Sequence, residues 1–211
     1  MGNLTLYPSE SPAAALLLAH GAGAGQQSPF MVSTARAIAA RGIIAGTFDF
    51  PYMEARRKVP DPAAVLEEAW RAAVASARGM EAFRDLPLFV GGKSMGGRIA
   101  SQAEAAGALH VAGLIFLGYP LHPPGKPQQR RDAHLPSITA PMLFVQGSRD
   151  AFGTAEEIRD LLPRLPRAEL HVVEGGDHSF KVPKTGGTSQ ARVNEEINDR
   201  IVAFIRASIQ N

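Results

Sequence analysis

Hydrophobic positions along the chain follow two alternating patterns. Short apolar runs bounded by Gly, Pro or Asp, such as AALLLA at residues 14–19, are typical of buried strands. Longer stretches between them carry apolar residues every three or four positions, as helices with one buried face do. This alternation indicates βαβ units around a mostly parallel sheet of about six or seven strands, with helices on both faces. The predicted strands are 14–19, 43–48, 86–90, 111–117, 142–146 and 169–173, and the predicted helices 30–41, 62–78, 96–106, 154–162 and 192–209.

Local signals set several of these boundaries. Gly42 is expected to end the first helix, and Asp61 to cap a helix that has Pro62 at its first position. Residues 119–141 are rich in proline and charge, which predicts an ordered loop with a short helix and no separate cap domain. One face of the last helix, expected to pack on the sheet, carries Ile197, Ile201, Phe204 and Ile205.

Composition narrows the possible functions. The 211 residues suit one domain, 1–211, and 45% hydrophobic with 20% charged residues is typical of a soluble globular protein. No apolar run reaches the ~18 residues of a membrane helix, and the N-terminus lacks signal-peptide character, so a cytoplasmic protein without membrane contact is expected. A net charge of +2 argues against nucleic-acid binding. The absence of cysteine excludes disulfides and thiolate chemistry.

The stretch VGGKSMGG, residues 90–97, fits two motifs in part. A phosphate-binding loop, G-x-x-x-x-G-K-[ST], would need a glycine where Pro87 stands, and residues 88–90 are predicted strand rather than flexible loop. The pattern G-x-S-x-G instead predicts a sharp strand-turn-helix elbow that exposes Ser94 as a nucleophile. Gly92 and Gly96 flank Ser94 and let the strand and helix approach each other. The elbow is the interpretation that fits.

An acid and a histidine follow Ser94 in the chain order that such elbows use. Asp150 lies just past a predicted strand in PMLFVQGSRD, at the edge where ligand-facing groups of parallel sheets gather. Of the six histidines, His178 alone stands after the last strand, behind two glycines. Asp177 is the weaker alternative acid, because adjacent side chains on an extended loop point in different directions. Asp150 could instead cap the next helix, but it stands four positions before the expected start near Thr154, which is a long spacing for a cap.

The loop after the first long strand, HGAGAG, predicts an oxyanion hole. Its small residues leave the backbone N–H of Ala22 open to a substrate oxygen, and the N–H of Met95, after the nucleophile, is the second donor. A dinucleotide fingerprint, G-x-G-x-x-G, fails because its last position falls on Gln26 or Ser28. No cofactor is predicted. No metal is predicted either, since the histidines lack ligand spacing.

With these motifs the chain resembles the α/β-hydrolase superfamily over nearly its whole length. HGAGAG, GGKSMGGR, GSRD and GGDHSFKVPK are similar to the small lid-less predicted serine hydrolases, the group related to the hydrolase-like domain of a chromatin-complex scaffold subunit. The resemblance implies an eight-stranded fold trimmed at its N-terminus, where residues 3–9 replace the usual first hairpin. It also implies Ser94 as nucleophile, Asp150 as acid and His178 as base.

The expected reaction is hydrolysis of small acyl esters through an acyl-enzyme. A thioesterase or acyltransferase would use the same groups, and a catalytically inactive interaction module with this fold is the alternative from another class. The sequence does not determine the oligomeric state. Lys93 is expected to be a structural or surface residue. Aromatic residues expected to line an open pocket, with ordinary packing as the alternative, are Phe30, Tyr52, Tyr119 and Phe152. The basic side chains Lys126, Arg130 and Arg131 could favour an anionic acyl group, but they are interpreted as a solvated cluster.

Overall fold

The computed structural model describes residues 4–183 and 187–210. A seven-stranded sheet runs through these residues in the order β1-β3-β2-β4-β5-β6-β7. Only β1, at one edge, pairs antiparallel to its neighbour, and every other pair is parallel. The strands are β1 (Thr5–Tyr7), β2 (Ala14–Ala19), β3 (Ile43–Phe48), β4 (Leu88–Lys93), β5 (Gly113–Leu117), β6 (Met142–Gly147) and β7 (Ala168–Val173).

Helices cover both faces of this sheet. The helices α1 and α6 contact each other on one face, and α3 packs against α4 on the other. The predicted α/β class, the strand number and the packing of the last helix on the sheet are confirmed. The helices are α1 (Pro29–Ala39), α2 (Pro51–Glu54), α3 (Ala63–Gly79), α4 (Met95–Ala105), α5 (Ala155–Arg159) and α6 (Gln190–Ser208), with 3₁₀ turns at Glu81–Phe83, Leu135–Ser137 and Leu162–Arg164.

The central strands β2 to β6 are buried on both sides, which explains their continuous apolar runs, whereas the edge strands β1 and β7 are partly exposed. In β2, Ala15 and Leu17 pack toward the face with α3 and α4, while Leu16 and Leu18 pack toward α1 and α6. The same alternation places Phe116 of β5 in the first of these layers. Because side chains on a strand alternate between faces, each run supplies two cores at once.

Several predicted boundaries shift for identifiable reasons. The fourth strand extends to Lys93, because Gly91 and Gly92 continue the ladder beside β2 and β5. Asp61 does not cap α3; its carboxylate binds Arg57 through contacts of 2.6 and 3.1 Å, and Pro62 occupies the cap position. The segment between β5 and β6 is a loop with the 3₁₀ turn Leu135–Ser137, as predicted. Of the N-terminal segment 3–9, Asn3 lies outside the described residues, and the rest contains β1.

The order of the strands creates one crevice at the carboxyl edge. The chain leaves β2 toward β3 on one side, then crosses to β4 on the other. Loops that follow β2 and β4 therefore diverge above the sheet, and ligands of open α/β sheets bind at such a switch point. The HGAGAG loop and Ser94 follow these two strands.

Candidate active site

Ser94 occupies a strained turn between β4 and α4. Its backbone has φ 50° and ψ −115°, outside the region that residues with a side chain normally adopt. The turn is held on both sides: the Ser94 N–H donates to Leu117 O at 3.0 Å, and Ser94 O accepts from the Arg98 N–H at 3.1 Å. Strain of this kind costs about 1–3 kcal/mol and persists where the surrounding structure imposes it.

The glycines around Ser94 permit close backbone approach. A Cβ on Gly91 would lie 2.0 Å from Ile115 O in the neighbouring strand. A Cβ on Gly96 would lie 2.4 Å from Ala19 O, where the first turn of α4 crosses the end of β2. On its other side, Gly96 O accepts from the Trp70 indole N–H at 3.1 Å. The geometry therefore meets the elbow requirement for small residues next to Ser94.

His178 and Asp150 form a continuous hydrogen-bonded chain with Ser94. The distance from Ser94 Oγ to His178 Nε2 is 2.9 Å, and that from His178 Nδ1 to Asp150 Oδ2 is 2.7 Å. A carboxylate only accepts, so Nδ1 carries the proton and Nε2 is free to accept from the serine hydroxyl. The Asp150 side chain is fully buried, whereas 21% of the His178 side chain remains accessible.

Asp150 is oriented by three donors. Its Oδ1 accepts from the Phe152 N–H at 2.8 Å, and its Oδ2 accepts from Gln146 Nε2 at 2.9 Å as well as from His178. Gln146, on β6, is itself completely buried. Gln146 was not predicted from the sequence, where its signal was a polar residue at the end of an apolar run, four positions before Asp150.

The alternative interpretations of the acid do not match the geometry. Asp177 turns away from the imidazole, and its Oδ1 accepts from the N–H groups of Ser179 and Lys181 at 2.7 and 2.9 Å. Asp150 does not cap α5 either. Thr154 caps that helix in a reciprocal box with Glu157.

The two predicted oxyanion donors border the same cavity as Ser94. Ala22 and Met95 both line it, and Met95 is the first residue of α4, where helical N–H groups have no intrahelical acceptor. His20 shapes the Ala22 loop: its Nδ1 donates to Gly21 O at 2.8 Å, and its Nε2 accepts from the Phe50 N–H at 3.1 Å. Burial lowers the pKa of His20, so this fully buried ring is neutral near pH 7.

Lys93 is not a surface residue. Its ammonium turns inward, donates to the carbonyl oxygens of Leu117 and His178, and lies 5.0 Å from the centre of the Phe180 ring. Burial lowers the pKa of Lys93 to about 8, although Asp150 and Asp177 oppose the shift. Lys93 thus ties the loop that carries His178 to the end of β5.

The cavity beside Ser94 has a volume of about 270 Å³ and corrects the predicted lining. Phe152 borders it and stacks on His178, with 4.2 Å between ring centres. Tyr52 and Tyr119 are core residues, 0% and 1% exposed, since their rings are needed to fill the layer beneath the loops. Phe30 packs against Phe180 and borders a different cavity between α1 and α6.

The charged residues Asp61, Arg98 and Arg131 also border the cavity, and only Arg131 was expected near the site from the sequence. Arg131 reaches it, whereas Lys126 is exposed and Arg130 pairs with Asp132 at 3.0 Å, so a solvated cluster describes these last two. Arg98 was missed. Its signal was its position four residues after Ser94, one helical turn along the same face. A larger cavity of about 540 Å³, between β1 and α1, contains none of the Ser94, His178 or Asp150 side chains.

Fold and elbow together define a class of protein. The chain matches the family described as alpha/beta hydrolase domain over residues 12–206, and it belongs to that family. Among solved structures it is similar to Est1E of Butyrivibrio proteoclasticus with ferulic acid bound, at TM-score 0.78 and 13% identity, covering 100% of this chain and 96% of that one. It is also similar to XC6422 of Xanthomonas campestris, described as a serine hydrolase without lid, at TM-score 0.72 and 18% identity, covering 97% and 88%.

A third similar structure is an alpha-beta serine hydrolase homologue of Coxiella burnetii, at TM-score 0.74 and 17% identity, covering 95% of this chain and 89% of that one. At these identities the likeness concerns the fold. Within residues 4–183 and 187–210, no helix is both long and apolar enough to cross a membrane. A cytoplasmic location stays a prediction of the sequence.

Proposed function

We propose that this protein hydrolyses small carboxylic esters through an acyl-enzyme formed on Ser94. The observation that carries the proposal is the unbroken chain from Ser94 Oγ to His178 at 2.9 Å and from His178 to Asp150 at 2.7 Å, beside a cavity of about 270 Å³. A nucleophile, a base and an orienting carboxylate in contact are the arrangement that acyl transfer needs.

The reaction proceeds in two balanced halves. Ser94 Oγ attacks the ester carbonyl carbon while His178 Nε2 takes the hydroxyl proton, and the C–O bond to the alcohol then breaks as His178 returns that proton to the leaving oxygen. Water repeats the sequence: His178 accepts its proton, the hydroxyl oxygen attacks the acyl carbon, and Ser94 leaves with the proton. Asp150 holds Nδ1–H and stabilises the transient imidazolium.

The N–H groups of Ala22 and Met95 stabilise the oxyanion in both halves. Both residues border the cavity, and Met95 stands at the start of a helix, where the helix dipole adds to the effect. Each donor contributes roughly 3 kcal/mol to the transition state when its geometry is good. The neutral, doubly hydrogen-bonded His20 keeps the Ala22 loop in place.

Labelling with a fluorophosphonate tests the nucleophile. Wild-type protein should gain one adduct by intact mass, mapped to Ser94 by peptide digestion, and Ser94→Ala should gain none. Ser33→Ala is a matched control, because Ser33 is exposed and bonds only within its own helix. A folded wild-type protein that stays unlabelled would refute the proposal in favour of a non-catalytic module.

Steady-state turnover assays then identify which acyl-transfer reaction the protein catalyses. We expect release of p-nitrophenol from short acyl esters, with kcat/KM reduced about 10⁴-fold or more in Ser94→Ala. Parallel assays with thioesters of the same acyl group, with and without an added alcohol, measure whether water is the preferred acceptor and oxygen the preferred leaving atom. Faster turnover of thioesters, or transfer to the alcohol, would reassign the reaction.

A further inference from the structure

Two guanidinium groups border the cavity at Ser94, and each has N–H donors for which no acceptor is found among the described residues. Arg98, on α4, donates from Nη1 to Gln102 at 2.9 Å, while its Nε is buried without an acceptor. Arg131, on the loop between β5 and β6, makes no side-chain hydrogen bond or ion pair with any described residue. A buried donor without a partner is costly, so an unfilled guanidinium at a cavity wall points to a ligand.

The positive charges of Arg98 and Arg131 add to each other at the cavity, and no carboxylate of a described residue forms an ion pair with either one. Burial lowers the pKa of Arg98, and the positive charge of Arg131 lowers it further. Asp61 also borders the cavity, but Arg57 occupies both of its carboxylate oxygens. Glu67 acts on Arg98 only as a nearby charge and forms no hydrogen bond with it in the described ranges. The part of the cavity wall that Arg98 and Arg131 form is therefore net positive.

Both arginines are anchored through their backbones. The Arg131 backbone is anchored on two sides, since its N–H donates to Leu121 O at 2.9 Å and its carbonyl accepts from the Tyr119 hydroxyl at 2.8 Å. Arg98 begins one helical turn after Ser94, with its N–H bonded to Ser94 O. Two guanidiniums that extend from anchored backbone to one cavity can bind a carboxylate in two-point fashion.

We propose that Arg98 and Arg131 bind a carboxylate carried by the substrate, so that the preferred esters are anionic, such as half-esters of short dicarboxylic acids. The inference rests on the proposed function in placing the ester carbonyl at Ser94. The carboxylate lies a few atoms from that carbonyl and accepts from the guanidinium N–H groups of Arg98 and Arg131 that border the cavity. Aromatic Phe152 and apolar Leu66 and Ile99 contact the carbon chain between the two ends.

The first test compares two p-nitrophenyl esters of adipic acid, one with its second carboxyl free and one with that carboxyl as the neutral amide. The wild-type kcat/KM should favour the charged ester by about tenfold or more. Arg131→Gln should lower this ratio about tenfold. Arg131→Lys should lower it less, because lysine keeps the positive charge but lacks the paired N–H donors of the guanidinium. Lys126→Gln is the matched control: it removes a positive charge from the same loop outside the cavity, and its ratio should match wild type.

A second pair of esters identifies the half of the substrate that carries the charge. Phenyl acetates with and without a carboxylate on the phenol ring place the charge on the leaving group instead. A preference confined to either pair supports the anion site and assigns its side. Equal kcat/KM within both pairs, or a ratio that Arg131→Gln leaves unchanged, overturns the assignment.

Binding to Ser94→Ala separates this inference from the proposed function. Calorimetric titration with the charged and amide adipate esters needs no turnover; the charged ester should bind about tenfold more tightly, and adding Arg131→Gln should remove the difference. Preferential binding without labelling or turnover of wild type would uphold the anion site and refute the hydrolase. Labelling of Ser94 with equal binding of both esters would uphold the hydrolase and refute the anion site.

Discussion

Among residues that do not touch the substrate, Gln146 is the one whose substitution should most reduce both the stability of the fold and the reactivity of Ser94. Its side chain is fully buried on β6 and bridges three segments. Oε1 accepts from the Tyr119 N–H at 2.8 Å, while Nε2 faces Gly153 O at 2.6 Å, Asp150 Oδ2 at 2.9 Å and Tyr119 O at 3.3 Å. The informative change is Gln146→Met, which keeps the length and removes both polar atoms.

The expected loss of unfolding free energy in Gln146→Met follows from the hydrogen-bonding groups that lose the Gln146 amide as a partner. An amide nitrogen has two hydrogens, so the two shortest Nε2 contacts are full hydrogen bonds and the 3.3 Å contact to Tyr119 O is secondary. Tyr119 N–H and Gly153 C=O lose a partner, at about 1–3 kcal/mol each, and Asp150 loses a charge-assisted bond. The methionine side chain offsets about 1 kcal/mol through its apolar atoms. The net loss is about 3–8 kcal/mol, a large part of the ~5–15 kcal/mol that stabilises a typical domain.

Urea unfolding of Gln146→Met against wild type measures this loss, with the slope m checked for equality. Gln128→Met, at an exposed position, controls for the substitution itself. The rate of fluorophosphonate labelling should fall about 10–100-fold under conditions where the variant is folded, since Asp150 loses one of its three donors and can rotate away from His178. A loss of stability below about 1 kcal/mol, or an unchanged labelling rate, would refute the reasoning.

Three further predictions concern residues around the site. Gly96→Ala should lower the free energy of unfolding by about 2–4 kcal/mol, because its Cβ would meet backbone atoms of Ala19 and His20 at 2.4–2.7 Å. Gly79→Ala is the control and should be neutral, since a Cβ there would have no atom within 4 Å. Equal urea midpoints for the two variants would contradict this prediction. The pKa of Lys93 is lowered to about 8 in the folded protein against about 10.4 in the unfolded chain. Between these values the unfolded state binds more protons, so stability relative to Lys93→Met should rise with pH in urea titrations at pH 7.5 and 9.5; a flat or falling difference would be inconsistent with a buried ammonium. Asp150→Asn should reduce kcat about 10⁴-fold by disturbing the His178 tautomer. Asp177→Asn should keep kcat within about threefold of wild type, because its side-chain oxygen still accepts from Ser179 and Lys181. The reverse order in steady-state assays would make Asp177 the acid.

The order of elements and the chemistry of the elbow followed from the sequence because both are local. Each buried strand is a continuous apolar run, and each turn at the carboxyl edge carries its own glycine or aspartate signal. Ser94, Asp150 and His178 were predicted from their places after three strands, and the structure brings these side chains into hydrogen-bonding contact. Their catalytic roles await the labelling experiment.

Contacts between distant segments were decided only by tertiary structure. Tyr52 and Tyr119 were predicted to line a pocket, and Lys93 to be a structural or surface residue. In the structure the two tyrosine rings are buried beneath the loops, and the Lys93 ammonium turns inward and donates to the His178 carbonyl. Arg98 and Arg131 lie more than thirty positions apart, and no local pattern says that their charges meet at one cavity. A sequence records which groups stand at strand ends; which of them remain without a partner depends on how loops from different strands pack, and only the folded chain determines that.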